Sequence, residues 1–403
     1  MGSMTGTTGT TGTSFTGTTG TTGTTGTTGT TGLGYSPAAL AALTGLSGNP
    51  IVTDALIRVG GRLGVANPKT EGLRLNDYAD KALPEAGLAT HIKRWEPTVR
   101  AHLGLCALNK GCSVELLKAK GKGRDGVRLA YLWRTSAIGA KKPTCEEQLL
   151  FEAFRPTRGE LNAQLSRVIT DSKFDQRRER SSEIISQTVP QVPFWSAIVP
   201  ISPWRTPWTW ELINIVLNFA MQQIHQIKHI LAVPRPHELS HQVRPLLQTP
   251  GWSAFPSGHA TEAFAFAYFF EKLANRTPDE RVTKDLQRLA RSIADNRVYA
   301  GVHYRVDGVA GRKLARALVD FAVARMTGST TNAHTFSGPG KVLGSPQAPG
   351  SFPLENADID LLHNVDNGGG YYAFAKGARL RKNKLLGEMW RLATEEMKDL
   401  GYV

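Results

Sequence analysis

Three short segments near the middle of the chain contain residues that could grip a small anion. In the first, KHILAVPRP, Lys228 and Arg235 are nearly two helical turns apart, so both side chains would lie on one side of a helix. In the second, PSGH, Ser257 and Gly258 open a helix, where free backbone N–H groups, the hydroxyl and the positive end of the dipole can face an anion. Gly258 has no side chain to block close approach.

The third segment, RVYAGVHYRVD, adds a residue that could bond the centre of that anion. His303 and Asp307 would share one helical face, so the carboxylate can accept a hydrogen bond from one ring nitrogen and leave the other free to attack or ligate. Arg297 supplies a second forked guanidinium, and His259 of the second segment can act as acid and base. These residue types predict a site for a tetrahedral or trigonal oxyanion.

The elements that must position these segments are predicted to be helices. Apolar residues recur at helical spacing over 210–231, after Ser257, over about 279–295 and over 303–326. The alternation typical of strands is scarce. The predicted fold class is therefore all-α, a helical bundle.

Composition divides the chain into five stretches. A Gly/Thr run without proline predicts a flexible tail, a stretch rich in Ser, Thr, Gly and Pro predicts a linker, and Leu385, Met389 and Leu392 predict a terminal amphipathic helix. The predicted divisions are a disordered tail (1–35), an N-terminal helical region packing on the core (36–190), a catalytic helical bundle (191–327), a linker (328–352) and a C-terminal segment with an amphipathic helix (353–403).

Within the N-terminal region, apolar spacing predicts helices over 100–109 and 147–154. The basic, glycine-interrupted stretch 118–128 is predicted to be a solvated loop. Residues 190–210 are crowded with proline and tryptophan, and they are predicted to be irregular.

The charge balance suits an anionic ligand, because the chain has 48 Lys and Arg and only 34 Asp and Glu, which gives a formal net charge of +14. A nucleic-acid partner is not expected, since no nucleic-acid motif appears and aromatic residues do not interleave with the basic clusters.

The three cysteines lack CxxC spacing and are expected to be small buried side chains. No signal peptide or run of about 18–20 apolar residues is visible, so we expect a soluble, cytoplasmic protein. The sequence leaves the oligomeric state open.

Read as Lys-x6-Arg-Pro, Pro-Ser-Gly-His and Arg-x5-His-x3-Asp, the three segments resemble the signature of the type 2 phosphatidic acid phosphatase / vanadium haloperoxidase superfamily. The resemblance covers residues 228–307 and implies the helical bundle of that superfamily. It implies that the oxygens of vanadate or phosphate are held by Lys228, Arg235, Ser257, Gly258 and Arg297.

The same resemblance implies roles for the remaining residues. His303 would be the axial vanadium ligand or the phosphorylated nucleophile, with Asp307 orienting it, and His259 would be the acid/base. One departure is Asn296, which stands where the family usually has Ser before the arginine. That change affects a contact behind the pocket and leaves the motif itself intact.

The resemblance supports two activities, since vanadate is a geometric analogue of phosphate at its transition state. We favour a vanadium-dependent haloperoxidase that oxidises halide with hydrogen peroxide. Membrane spans like those of the lipid phosphatases are missing, Arg305 in HYRVD is similar to haloperoxidases, and Trp252 stands where fungal chloroperoxidases carry an aromatic residue, implying a halide pocket. The alternative is a soluble acid phosphatase that hydrolyses phosphomonoesters through a phosphohistidine.

A distant alternative rests on the HExxH pattern of His237, Glu238 and His241, which in zinc proteases binds zinc and supplies a general base. Such a motif lies inside a helix, whereas prolines on both sides limit this one to a short turn. Glu262, near the place of a third ligand, already belongs to the helix after PSGH. We therefore expect a polar loop at the rim of the anion pocket.

Overall fold

The structure of the chain is a computed structural model that describes residues 89–119, 124–134, 145–171, 175–188, 191–277, 280–336 and 372–403. The described residues between Glu96 and Val403 belong to one compact unit. A 3₁₀ helix, Ala89–Arg94, belongs to a second unit. The predicted Gly/Thr tail lies outside the described residues.

The compact unit is mostly helical, with a small sheet. Its helices are α1 (Pro97–Asn109), α2 (Arg158–Asp171), α3 (Asp175–Glu179), α4 (Ser181–Ser186), α5 (Val192–Ser196), α6 (Pro207–Leu231), α7 (Pro236–Leu239), α8 (Gly258–Leu273), α9 (Arg281–Tyr299), α10 (Arg305–Thr327) and α11 (Lys384–Asp399). Its strands are β1 (Cys112–Leu117), β2 (Gly126–Arg134), β3 (Cys145–Phe154), β4 (Thr330–Phe336) and β5 (Tyr372–Arg379).

Helix α8 lies at the centre of the bundle. It is buried along nearly its whole length, and it packs against α6, α9 and α10. An all-round apolar helix of this kind is stable only inside a core. Gly311 lets α10 come close to the start of α8, because a Cβ there would lie 2.7 Å from the Ser257 carbonyl oxygen. The close contact brings the second and third motifs together.

The long helices begin and end near the predicted residues. Pro207 opens α6, and the Ser257 hydroxyl caps α8 by accepting from the Ala260 N–H. The C-terminal helix α11 packs against α6 and α10, burying Met389 and Leu392, while Leu385 is half-buried. The four bundle helices and the C-terminal helix were thus predictable from apolar spacing.

The all-α prediction is only partly right, because five strands form a mixed sheet in the order β1-β2-β3-β4-β5. Only the β3–β4 pair is parallel, with Phe151 opposite His334. The prediction of a helix over 147–154 is wrong, since these residues belong to β3. The β2–β3 register shifts between Leu129 and Ala130, so Leu150 has no partner, and both Leu150 and Phe151 are buried. This bulge breaks the alternation that would have marked a strand.

The predicted linker, residues 328–352, begins with strand β4, so its first part is wrong. The polar residues of β4 did not predict a strand, because the side chains that they hydrogen-bond lie on a helix and are not visible in the local sequence pattern. His334 and Asn332 both contact Asp320 of α10, at 3.2 Å and 2.9 Å. Residues 337–352 lie outside the described residues.

Among the residues that the structure describes, no helix is long and apolar enough to cross a membrane. In the segment 190–210, predicted to be irregular, the described residues include the short helix α5 and the first turn of α6 from Pro207. Stretch 118–128 runs into β2 at Gly126, so its last residues are strand and not loop.

Candidate active site

The three motifs meet in one pocket of the bundle. Of the nine residues predicted for the site, seven line this pocket: Lys228, Arg235, Trp252, Gly258, His259, Arg297 and His303. The other two lie directly behind them. Ser257 is the N-cap of α8, and Asp307 contacts His303.

Each wall of the pocket comes from a different element. Lys228 lies in the last turn of α6. Arg235 has extended backbone and lies between α6 and α7. The last turn of α9 carries Arg297, and the chain then turns sharply through Gly301, whose φ is +77°. Only glycine adopts this conformation without strain, and the turn places His303 ahead of α10.

Lys228 and Arg235 are buried, and backbone carbonyl oxygens hold them. Lys228 Nζ donates to Ser253 O and Ala254 O, at 2.8 Å and 2.9 Å. Arg235 donates from Nε to Trp252 O at 2.9 Å and from Nη1 to Val302 O at 2.7 Å. Both cations therefore also anchor the loop that precedes α8.

Arg297 is held in a similar way and keeps unused donors. Its Nη2 donates to Ile184 O at 2.8 Å and to Gln187 Oε1 at 3.3 Å. Its Nε and Nη1 are buried and have no hydrogen-bond partner in the structure. A buried donor without a partner costs free energy, so these groups are available to an acceptor that a ligand in the pocket would bring.

Among the described residues, the three cations thus hydrogen-bond only neutral oxygens through their side chains. Burial lowers the pKa of Arg235 and of Arg297 to about 10, and that of Lys228 well below its ordinary value. The arginines stay charged at neutral pH. Close cations without a carboxylate partner repel one another, and a bound anion removes that penalty.

His303 and Asp307 form the contact that their spacing predicts. The distance between His303 Nδ1 and Asp307 Oδ2 is 2.9 Å, and the same oxygen accepts from the Tyr304 N–H at 3.0 Å. Burial, followed by the charges of Arg235 and Lys228, holds the pKa of His303 well below its usual value. A neutral ring that donates through Nδ1 keeps the lone pair of Nε2 available.

Burial also raises the pKa of the Asp307 carboxyl to about 7, although the hydrogen bond from the Tyr304 N–H and the charges of Lys228 and Arg235 act to lower it. Its Oδ1 has no partner in the structure. The carboxyl group therefore depends on the surrounding cations for its ionised form.

His259 has an unused nitrogen within this ring of charge. Its Nε2 is buried and has no hydrogen-bond partner, and the ring also hydrogen-bonds the Gln187 backbone. Burial, then Arg297, Arg235 and Lys228, lowers the pKa of His259 well below its usual value. A bound anion would oppose these charges and raise that pKa, which lets His259 take up a proton once the site is filled.

The first turn of α8 offers further donors. Its first backbone N–H groups have no acceptor within the helix, as at any helix N-terminus. A Cβ built on Gly258 would meet no atom within 4 Å, so open space lies beside this residue. The Ser257 hydroxyl accepts from the Ala260 N–H at 3.4 Å and keeps its own hydrogen for donation.

Apolar side chains surround the rest of the pocket. Met221, Leu247, Pro250 and Trp252 are half-buried lining residues. The Trp252 ring lies 5.4 Å from the exposed ring of His225, which also lines the pocket. The pocket therefore has a cationic end and an apolar rim.

Two further residues lie behind the pocket, and the sequence predicted only one of them. Gln187, at the end of α4, is fully buried and contacts Arg297, and no motif marks it. Asn296 was placed behind the pocket by its position next to Arg297. It donates to Gln187 Oε1 at 3.0 Å and accepts from Arg180 at 3.2 Å.

Two other residue sets singled out in the sequence lie elsewhere. Arg305 pairs with Asp171 of α2 at 3.0 Å, so it does not line the pocket. The HExxH residues sit on the four-residue helix α7 and beyond it, with Ser240 already extended. His237 and His241 therefore do not share a helical turn, and Glu238 accepts from the Arg235 backbone N–H at 2.9 Å.

Comparison with known proteins agrees with the motifs. The sequence model of the PAP2 superfamily matches residues 208–329. A crystal structure described as the first bacterial vanadium-dependent iodoperoxidase is 22% identical over 41% of this chain and 48% of that chain, with a TM-score of 0.33. The chain thus spans about half the length of that protein. No match is found among curated proteins.

The family match contains all three motifs and the helices that carry them. The resemblance predicted from the motifs is therefore confirmed: residues 208–329 match the PAP2 superfamily.

Proposed function

We propose that this chain is a vanadium-dependent haloperoxidase that holds vanadate in the cationic pocket and oxidises halide with hydrogen peroxide. The observation that carries the oxyanion site is the Arg297 guanidinium, whose buried Nε and Nη1 have no hydrogen-bond partner. Arg297 lines a pocket whose other cations contact only neutral oxygens, and His259, whose Nε2 is also unpaired, lines the same pocket. A bound anion would give the guanidinium its acceptors and balance the charge of the pocket.

The residues present fit vanadate. Its oxygens would be held by Lys228, Arg235, Ser257, Gly258 and Arg297, and its metal by Nε2 of His303. Hard oxygens suit guanidinium and ammonium donors, and a neutral imidazole is a common metal ligand. When bound, vanadate would supply the Lewis-acid centre that activates hydrogen peroxide.

The protein groups around that centre have separate tasks. Asp307 holds the His303 ring in the tautomer that leaves Nε2 free, as outer-shell carboxylates do at other metal sites. His259 would take up and release a proton at its unpaired Nε2. Trp252 is the proposed contact for halide, because it lines the pocket beside the cations.

Arg305 no longer supports the choice of a haloperoxidase, since its salt bridge to Asp171 explains why an arginine stands there. Trp252 remains the residue that favours it.

The second candidate is a phosphatase acting on phosphomonoesters, and the apolar rim favours it. An organic group attached to phosphate would lie against Met221, Leu247 and Pro250, which a bare halide does not need. In this reaction His303 Nε2 attacks phosphorus, and His259 protonates the leaving oxygen. Water then hydrolyses the phosphohistidine and returns both histidines to their starting state.

One pair of assays separates the two candidates. The purified chain is tested for halogenation of monochlorodimedone with hydrogen peroxide and chloride, bromide or iodide, with and without orthovanadate. It is also tested for hydrolysis of p-nitrophenyl phosphate. We expect vanadate-dependent halogenation, and we expect vanadate to inhibit any phosphatase activity by occupying the same pocket.

The His303→Ala variant is the matched control, because it removes the bonding nitrogen and leaves the three cations in place. Halogenation that persists in this variant would not come from the pocket. Absence of halogenation with all three halides, together with p-nitrophenyl phosphate hydrolysis, would replace the haloperoxidase by the phosphatase.

A further inference from the structure

A chain of hydrogen bonds behind the pocket connects Arg297 to a carboxylate without letting the two touch. Gln187 Oε1 accepts from Arg297 Nη2 at 3.3 Å, and Gln187 Nε2 donates to Glu183 Oε1 at 2.8 Å. Ser292 also donates to Glu183 Oε1, at 2.9 Å. The amide of Gln187 therefore lies between the guanidinium and the carboxylate.

The orientation of this amide follows from its partners. Its nitrogen faces the Glu183 carboxylate, which can only accept, so its oxygen must face Arg297. Asn296 Nδ2 donates to that same oxygen at 3.0 Å. Gln187 is fully buried, and its backbone also hydrogen-bonds the ring of His259. One residue thus borders both groups that have unpaired nitrogens in the pocket.

A direct Arg–carboxylate pair would be the stronger local contact, yet it would weaken the site. A carboxylate in contact with Arg297 would satisfy the charge that an incoming oxyanion has to use. A neutral acceptor fixes the position of the guanidinium and leaves most of its charge uncompensated. The backbone carbonyls that hold Lys228 and Arg235 act in the same way.

We propose that Gln187 is a positioning residue, which holds Arg297 through a neutral oxygen and keeps the Glu183 carboxylate one residue away, so that the charge of Arg297 serves a bound tetrahedral oxyanion. This inference rests on the oxyanion site of the proposed function, and it holds whether vanadate or a phosphomonoester occupies that site.

The test exchanges the two side chains. The double variant Glu183→Gln/Gln187→Glu has the same composition and net charge as the wild type. Each contact can persist, because the new amide nitrogen takes the place of Glu183 Oε1 and donates to the new carboxylate, to which Asn296 and Arg297 also donate. The Ser292 hydroxyl, which donates to that place in the wild type, accepts from the amide nitrogen instead. Only the place of the negative charge changes, from one residue away to direct contact with Arg297.

Binding of inorganic phosphate to the full chain is measured by calorimetry, and unfolding midpoints are measured alongside. We expect the exchange to raise the Kd for phosphate by about tenfold or more, with an unfolding midpoint no lower than that of the wild type. A merely structural role for Gln187 would leave the Kd unchanged, since the hydrogen bonds are kept.

The single variant Glu183→Gln provides a second, independent arm. It removes the carboxylate and keeps the amide, so we expect it to bind phosphate at least as tightly as the wild type. If the double variant does not fold, this arm decides alone. A Kd for the double variant within about twofold of wild type, or a loss of about tenfold in Glu183→Gln, would overturn the role of Gln187. Failure of the wild type to bind phosphate would instead refute the oxyanion site and this inference with it.

Discussion

Two buried His–Asp pairs involve helix α10, and they have opposite surroundings. In the first pair, His303 and Asp307 lie at the start of the helix, beside the pocket, 2.9 Å apart. In the second, Asp320 lies farther along the helix, 3.2 Å from His334 of strand β4. All four residues are buried. The residue types alone do not distinguish the pairs.

Their partners do. His334 uses both ring nitrogens, one with Asp320 and the other with the Tyr372 hydroxyl. Asp320 also accepts from Asn332 and lies 3.4 Å from Arg316. In the first pair, Asp307 has an oxygen without a partner, and the His303 ring faces the pocket. A satisfied pair joins the sheet to the bundle, whereas an unsatisfied pair in a pocket is available for chemistry.

The largest expected difference is between His303→Ala and His334→Ala. His303→Ala should lower turnover on the order of 10³-fold or more, because it removes the bonding nitrogen, while the protein stays folded and Asp307 keeps the Tyr304 N–H as a donor. His334→Ala should keep turnover within a few-fold and lower the free energy of unfolding by about 1–3 kcal/mol, since Asp320 and Tyr372 lose a buried partner. Turnover and urea unfolding are measured on both variants. Activity lost with His334 and kept without His303 would exchange the roles of the two pairs.

The next effect compares an arginine from each region. Arg297→Ala should raise the Kd for phosphate by about tenfold to a hundredfold, because it removes a charge-assisted contact of about 1.5–3 kcal/mol. Arg316→Ala should leave that Kd unchanged, since Arg316 pairs with Asp320 and Glu271 and does not line the pocket. Phosphate titrations of both variants check this, and equal losses would mean that only net charge matters.

A third effect concerns pH and the two aspartates. Burial raises the pKa of Asp307 to about 7, so its ionised form disfavours the folded state, and this penalty is fully present only above that pKa. Burial also acts on Asp320, but His334, Arg316 and Asn332 together hold its pKa below the ordinary value of 3.8. Its stabilisation is therefore present above that value and is lost only as pH falls through its lower folded pKa.

Unfolding of wild type, Asp307→Asn and Asp320→Asn at about pH 8 and about pH 5 separates these cases. The stability of wild type relative to Asp307→Asn should increase as pH falls between them. The stability of wild type relative to Asp320→Asn should stay nearly constant, since that carboxylate is ionised throughout. A pH dependence shown by Asp320→Asn and not by Asp307→Asn would contradict the assignment.

The smallest expected effect concerns two cysteines outside both His–Asp pairs, and it tests the burial of Cys112 at the edge of the sheet. Burial raises the pKa of the Cys112 thiol to about 12, whereas Cys106 is exposed on α1. In a Cys145→Ser background, we expect iodoacetamide to modify Cys106 at least about tenfold faster than Cys112 at neutral pH, because only the thiolate reacts. Mass spectrometry after timed quenching measures both rates. Equal rates would show that Cys112 is more accessible than its burial indicates.

The bundle was predictable from the sequence because its helices are long and apolar on the faces that pack. The sheet was not, for two reasons seen in particular residues. The bulge at Leu150 interrupts alternation in β3, and β4 carries polar residues whose partners lie on α10. Local patterns do not report hydrogen bonds between residues far apart in the chain.

By itself, the sequence determined the kinds of group available to the pocket and their order, since spacing within a helix is set by covalent geometry. The tertiary structure decided what those groups are free to do. The oxygens that hold Lys228, Arg235 and Arg297 are mostly backbone carbonyls, which every residue has and no motif marks. Whether a charge is neutralised or left for a ligand depends on which oxygens the fold brings to it, and that depends on packing between distant segments.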